Sequence, residues 1–269
     1  MKLFYLLIVL IFITACQPND ESVREKITIT GSSTVAPLIS LMAEVYEKQY
    51  PNVYIDVQTG GSSRGIADAR SGMADIGMVS RQLKLSEVDL SSYVIALDGI
   101  AMIVHRDNPI VSLNSQQIQG IYTDQVNNWA ALGGDDRGIT VIHKAAGRST
   151  QELFLNYFQL NESDVKADII IGDNQHAILS VMQSPESIAY VSIGAAQFEI
   201  NHGAPIKLLP MNGIEASIRM LKSHTFPIMR ELNLVTLGEP SLAVKQFIQF
   251  SQSSVVLPIV NDQFFVVAQ

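Results

Sequence analysis

Three short segments pair glycine with hydroxyl residues just before an amphipathic stretch: Gly31-Ser32-Ser33-Thr34, Gly60-Gly61-Ser62-Ser63 and Gly147-Arg148-Ser149-Thr150. A helix that starts in such a turn presents unpaired N–H groups and partial positive charge. Glycine lets a ligand approach the backbone, and each hydroxyl adds a donor. Three such turns meeting at one point would hold a tetrahedral oxyanion with few cationic side chains. Each turn taken alone also reads as a plain helix cap, because Ser and Thr are good N-caps. Ser149 and Glu152 have the spacing of a capping box. Arg64, Arg81, Lys144 and Arg148 stand in or beside these turns. Arginine suits an oxyanion because its planar fork can engage two oxygens.

The elements that must position these turns follow from periodicity. Ile27–Thr30 reads as a strand, Leu38 to Tyr50 as a helix, and Val53 to Val57 as a second strand. A short helix runs through Ala69, and Ala74 to Val79 makes a third strand. Repeated strand–turn–helix units imply an α/β fold with a parallel sheet, whose ligands sit beyond the carboxyl ends of the strands. Farther along, Ile100–Val104 and Leu232–Leu237 read as apolar crossovers between two lobes. Gln116 to Tyr122 is a short helix, and Ile139–Ile142 a strand leading into the third turn. The chain closes with a helix over Ser241–Phe250 and an apolar strand near Phe264–Val267.

The expected division is lobe one from 27–103 plus 228–269 and lobe two from 104–227. Before them stand a signal peptide at 1–15 and a tether at 16–26. That leader rests on Met1-Lys2 followed by an apolar run to Ile13, too short to span a bilayer comfortably. It ends Ile13-Thr14-Ala15-Cys16, which resembles the lipobox of bacterial lipoproteins. Cys16, the single cysteine of the chain, is the expected acylated first residue of the mature protein. The expected location is therefore the extracytoplasmic face of the cell envelope, anchored to the membrane by lipid.

Composition narrows the function classes. The chain has 269 residues, 47 % hydrophobic and 16 % charged, with a formal net charge of −8. That is a folding composition, and its acidity argues against nucleic-acid binding. One cysteine permits no disulfide within the chain and no cysteine-based zinc site. There is no P-loop, no dinucleotide fingerprint and no metal-ligand spacing, so no cofactor or metal is expected.

Several motifs together resemble the PstS-type phosphate-binding proteins. They are Ile27-Thr28-Ile29-Thr30-Gly31-Ser32-Ser33-Thr34-Val35-Ala36-Pro37-Leu38, the stretch Gly60 to Ile66, and Ala74-Asp75-Ile76-Gly77-Met78-Val79-Ser80-Arg81. Ala96 to Val104, Asn127-Asn128-Trp129 with Gly133-Gly134, and Ile188 to Val191 extend the similarity over nearly the whole mature chain. The resemblance implies a two-lobed periplasmic-binding-protein fold (type II-like) and a monomer. It would bind inorganic phosphate between the lobes and hand it to an ABC permease with its ATPase, with no catalysis. Carried over residue by residue, it implies ligand contacts at Ser33, Thr34, the Val35 backbone, Ser62 or Ser63, Ser80, Arg81, Lys144, Ser149 and Thr150. The third turn departs from the family pattern. Lys144 stands where the family usually has Arg, Arg148 where it has a contacting Ser, and Ser149 where it has Gly. Lysine lacks the bidentate fork, while Arg148 either clamps the anion or points away.

Two other readings remain open at this level. Another oxyanion, such as sulfate or molybdate, or a sensor role on the same fold, fits the same motifs. Gly61-Ser62-Ser63-Arg64-Gly65 also matches the nucleophile-elbow pattern of serine hydrolases, with Ser63 as nucleophile and His105, His143, His176, His202 or His224 as base.

Overall fold

The structure is a computed structural model that describes residues 24–268. The leader expected at 1–15 and the tether up to 23, with Cys16, lie outside the described residues. In chain order the elements are β1 (Glu25–Gly31), α1 (Ala36–Gln49), β2 (Val53–Thr59), α2 (Ser62–Ser71), β3 (Ile76–Val79) and β4 (Leu90–His105). Next come α3 (Ser115–Tyr122), β5 (Thr140–Lys144), α4 (Ser149–Phe158), β6 (Ile169–Ile171), α5 (Asn174–Gln183), β7 (Ser187–Ser192), α6 (Ile193–Asn201) and β8 (Ile206–Leu208). The last are α7 (Ile218–Lys222), β9 (Met229–Leu237), α8 (Leu242–Ser251) and α9 (Leu257–Asp262).

The fold is two-lobed α/β, as the sequence implied, but the sheet is mixed rather than purely parallel. Strands β2, β1 and β3 run parallel, and β9 joins β3 antiparallel. The 16-residue β4 serves both lobes. Its first half, Leu90–Gly99, pairs antiparallel with β9. Its second half, Ile100–Val104, pairs antiparallel with β7, which lies parallel to β5. Only that second half was legible as a crossover. Residues 90–99 carry Ser91, Ser92 and Asp98 among the apolar positions, which hides the strand pattern.

Each lobe has its own apolar core. Ile27, Ile29, Leu38, Ile76, Met78, Leu232 and Phe247 are buried together in the first. Met102, Ile118, Tyr122, Trp129, Phe154 and Tyr190 are buried in the second. At roughly 25 cal/mol per Å² of apolar surface, these clusters are the main term holding the lobes together. Trp129 is anchored as well as buried, since its indole N–H donates to the Glu186 carbonyl at 3.0 Å. The strand expected near Phe264–Val267 does not form. Phe264 adopts φ 56°, and Val266 exchanges single backbone hydrogen bonds with Leu97 instead.

Two glycines set the loop geometry. Gly31, at the end of β1, has φ 132°, and a Cβ there would lie 2.3 Å from the Met78 carbonyl oxygen. Gly61, before α2, has φ 94°, and its Cβ would lie 2.8 Å from the Gly147 oxygen across the cleft. Both conformations are ones that L side chains rarely adopt.

Candidate functional site

The carboxyl ends of β1, β2 and β5 bring the three expected turns together at the cleft floor. Helices α1, α2 and α4 begin there, and none of them has a side-chain N-cap hydrogen bond. By contrast α3, α5, α6, α7 and α8 are all capped, by Asn114, Asp173, Ser192, Ser217 and Ser241, and α9 also lacks a cap. The capping-box expectation for Ser149 and Glu152 is therefore corrected. The N-cap of α4 is Arg148, and the Ser149 hydroxyl has no partner. A helix start without a side-chain cap leaves first-turn N–H groups open to a ligand, though the Ser63 N–H of α2 is taken by the Gly147 oxygen.

The floor between the turns is a charged pair that the sequence reading missed. Arg230 on β9 faces Asp98 on β4, with Nη2 and Nε at 2.7 and 3.0 Å from Asp98 Oδ2. Both side chains are fully enclosed. The Arg230 guanidinium also reaches hydroxyls from both lobes. Nη1 donates to Thr150 Oγ1 at 2.8 Å and to Ser80 Oγ at 3.4 Å, and Nη2 to Thr34 Oγ1 at 3.3 Å. The signal available in sequence was one Asp and one Arg in or beside the two apolar crossovers. Charges there must be paired if buried.

Around this floor the polar groups are nearly all donors in search of an acceptor. Thr34 Oγ1 accepts from Asn174 Nδ2 as well as Arg230. Ser62 Oγ accepts from the Ser80 N–H at 3.1 Å. Ser80 Oγ accepts from Ser32 and Arg230, and Thr150 Oγ1 from Arg230. A hydroxyl that accepts from protein still has its own proton to donate. Ser149 Oγ and Lys144 Nζ are buried with no hydrogen-bond partner. Burial, then the nearby charge of Arg230, pulls the Lys144 ammonium down to about 7; Asp173 opposes this, and Arg148 adds the smallest downward pull. Its backbone is fixed from behind, because the Lys144 N–H donates to the Tyr190 phenol, which bonds His143 Nδ1 at 2.9 Å.

Hydroxyls, helix N-termini, a lysine and an arginine converging without a free carboxylate form a cage for an oxyanion. A model of the PBP superfamily domain matches residues 17–255. The chain belongs to that superfamily. Its PstS-type resemblance holds along most of the length. It is 28 % identical to the phosphate-binding protein PstS of Borreliella burgdorferi, over 93 % of this chain and 92 % of that one. It is 24 % identical to the PstS of Bacillus subtilis, over 92 % and 82 %. A phosphate ABC transporter substrate-binding protein from Clostridium perfringens, solved with bound phosphate, superposes with a TM-score of 0.85. That match has 28 % identity and covers 91 % of this chain and all of the other.

The remaining expected residues of this PBP-superfamily chain fall outside the cage. The Arg81 side chain is buried but directed elsewhere. Nη1 and Nη2 bond Glu87 at 2.7 and 2.9 Å, and Nε lies 3.1 Å from Glu152. Burial opposes its charge, and Glu87 and Glu152 outweigh that and hold its pKa above the usual arginine value. Arg81 thus pairs with Glu87 in its own lobe and with Glu152 across the cleft, and is not an anion ligand in this geometry. The Val35 N–H, expected on the ligand, turns back to Ser32, 3.2 Å from the carbonyl and 3.4 Å from Oγ. Ser33 is half-buried, and Ser63 is exposed. The Ser63 N–H meets the Gly147 oxygen at 3.3 Å across the cleft. The half-buried Arg148 lays its stem over Gly61 of the other lobe and its guanidinium beside Gly172, with no ion pair among the described residues.

The hydrolase reading fails on the same geometry. No hydrogen bond joins Ser63 Oγ to a histidine among the described residues, and the His143 ring is taken by Tyr190 and Glu162. Gly65, the second glycine of the pattern, has a packing role. A Cβ there would stand 2.8 Å from the Thr30 oxygen and 2.9 Å from Gly31 Cα.

Proposed function

We propose that this protein is an exported, lipid-anchored solute-binding protein that captures inorganic phosphate and delivers it to an ABC permease. The observation that carries the reading is the buried, donor-rich cage. Lys144 Nζ and Ser149 Oγ have no protein partner there, beside hydroxyls already engaged as acceptors. Such groups are costly when unpaired, and a tetrahedral oxyanion satisfies several at once. The chain's likeness to proteins named as phosphate-binding favours phosphate among the oxyanions. The ligand residues in this reading are Thr34, Ser62, Ser80, Lys144, Ser149, Thr150 and Arg230. Lobe one comprises 27–103 plus 228–269 and lobe two 104–227, with β4 and β9 as the hinge.

Lipid attachment rests on the Thr14-Ala15-Cys16 ending of the apolar leader. No helix among the described residues is long and apolar enough to cross a membrane. Calorimetry of the ligand-free protein against phosphate, sulfate and molybdate tests the ligand assignment. One-to-one binding of phosphate is expected. A preference for molybdate or sulfate would transfer the same cage to a different oxyanion.

A further inference from the structure

Beside the cage lies a second cavity of about 510 Å³, set between the lobes. Its walls are largely apolar, with Ala36, Pro37, Leu41 and Val57 on one side and Ala195 and Phe198 on the other. A pocket of that size is ample for a small organic group. It meets the cage at only two of its lining residues, Thr34 and Asn174. Thr34 Oγ1 is the shared atom. It accepts from Arg230 on the cage side and from Asn174 Nδ2 at 3.2 Å.

We infer that Asn174 restricts the site to free phosphate, by standing between the anion cage and a chamber that would accommodate the alcohol part of a phosphomonoester. The inference rests on the phosphate reading above. Asn174 is buried at the first position of α5 and fixed at both ends of its amide. Nδ2 donates to Thr34, while Oδ1 lies 3.4 Å from the Ser192 N–H. Thr34 belongs to one lobe and Asn174 to the other, so the partition forms when the cleft closes. An ester oxygen that carried carbon toward the chamber would have to pass where this hydrogen bond lies. It would break the bond and leave buried polar groups unpaired, a strong basis for rejection. Inorganic phosphate has no substituent and leaves the partition intact. Asn174 is in this sense a specificity-determining residue on a fourth segment, outside the three glycine–hydroxyl turns.

The test is calorimetry with inorganic phosphate, ethyl phosphate and glycerol 3-phosphate on wild type, Asn174→Ala and the double variant Asn174→Ala with Ala195→Leu. Wild type should discriminate against both esters by at least about a hundredfold. Asn174→Ala should weaken phosphate by about tenfold, for one lost hydrogen bond, and cut the discrimination by tenfold or more. Ala195→Leu fills the chamber without touching the cage, so it should restore the discrimination. Should Asn174→Ala lose its cooperative melting transition, Asn174→Ser removes the same amide and is judged by the same ratio. Wild type that binds the esters as well as phosphate would overturn the partition. So would an Asn174 variant that binds phosphate with undiminished discrimination. Absence of phosphate binding in wild type would instead overturn the phosphate reading, and this inference with it.

Discussion

Lys144 and Arg230 carry the same formal charge into the same cage, yet their surroundings differ. Arg230 is held by Asp98, while Lys144 has no carboxylate partner. Its folded-state pKa of about 7 lies below the ordinary lysine value of 10.5. An anion in the cage favours the ammonium and raises that value. At about pH 8.5, then, binding should take up most of a proton, read from calorimetry in buffers of different ionisation enthalpy. Lys144→Arg should lose that uptake, because a guanidinium stays charged throughout. Without ligand the sign for stability is fixed too. Between the folded and unfolded values the unfolded chain binds more protons, so stability rises with pH across that window. A thermal midpoint that falls over the same range would contradict the assignment.

Arg230 and Arg81 make a second residue-scale contrast. Arg230→Ala leaves Asp98 buried and unpaired, which should destabilise the protein by about 3–5 kcal/mol and abolish measurable phosphate binding. Arg81→Ala should leave phosphate affinity within about tenfold, because its guanidinium faces Glu87 and Glu152. Equal losses in the two variants would show that Arg81 touches the ligand after all. The turns and Lys144 were legible because glycine–hydroxyl clusters ahead of a helix are local patterns. Arg230, Asp98 and Asn174 were not, because their roles arise from pairing across 132 residues and from lobe closure.

Among the elements, the helix starts say most. Side-chain caps secure five helices, while α1, α2 and α4, whose starts face the cage, have none, as does α9. Sequence could not draw that line. Ser149 with Glu152 has cap spacing, yet Glu152 turns to Arg81 and Lys84, 3.1 and 2.7 Å away in the opposite lobe. This Glu152 contact forms a clasp between the lobes beside the cage. Glu152→Gln should raise the phosphate release rate by about three- to tenfold and flatten its salt dependence, measured by stopped flow. An unchanged release rate would mean that the clasp is incidental to closure. The strands were read well where apolar residues alternate, as in β1 and β2. They were misread at the C-terminus, where Phe264 to Val267 packs as an irregular segment.

At the scale of the molecule, two cores joined through β4 and β9 permit hinge motion, and the cage is complete only when both lobes contribute. Membrane attachment belongs to this scale as well. Cys16→Ser should move the protein from the membrane fraction to the soluble one or block removal of the leader, and normal fractionation would contradict the lipid anchor. The most direct test of the whole account is calorimetry of the ligand-free protein with phosphate and sulfate side by side. The account predicts one phosphate per chain at about micromolar Kd or tighter, with sulfate clearly weaker. Sulfate bound in preference, or no heat from phosphate, would contradict it.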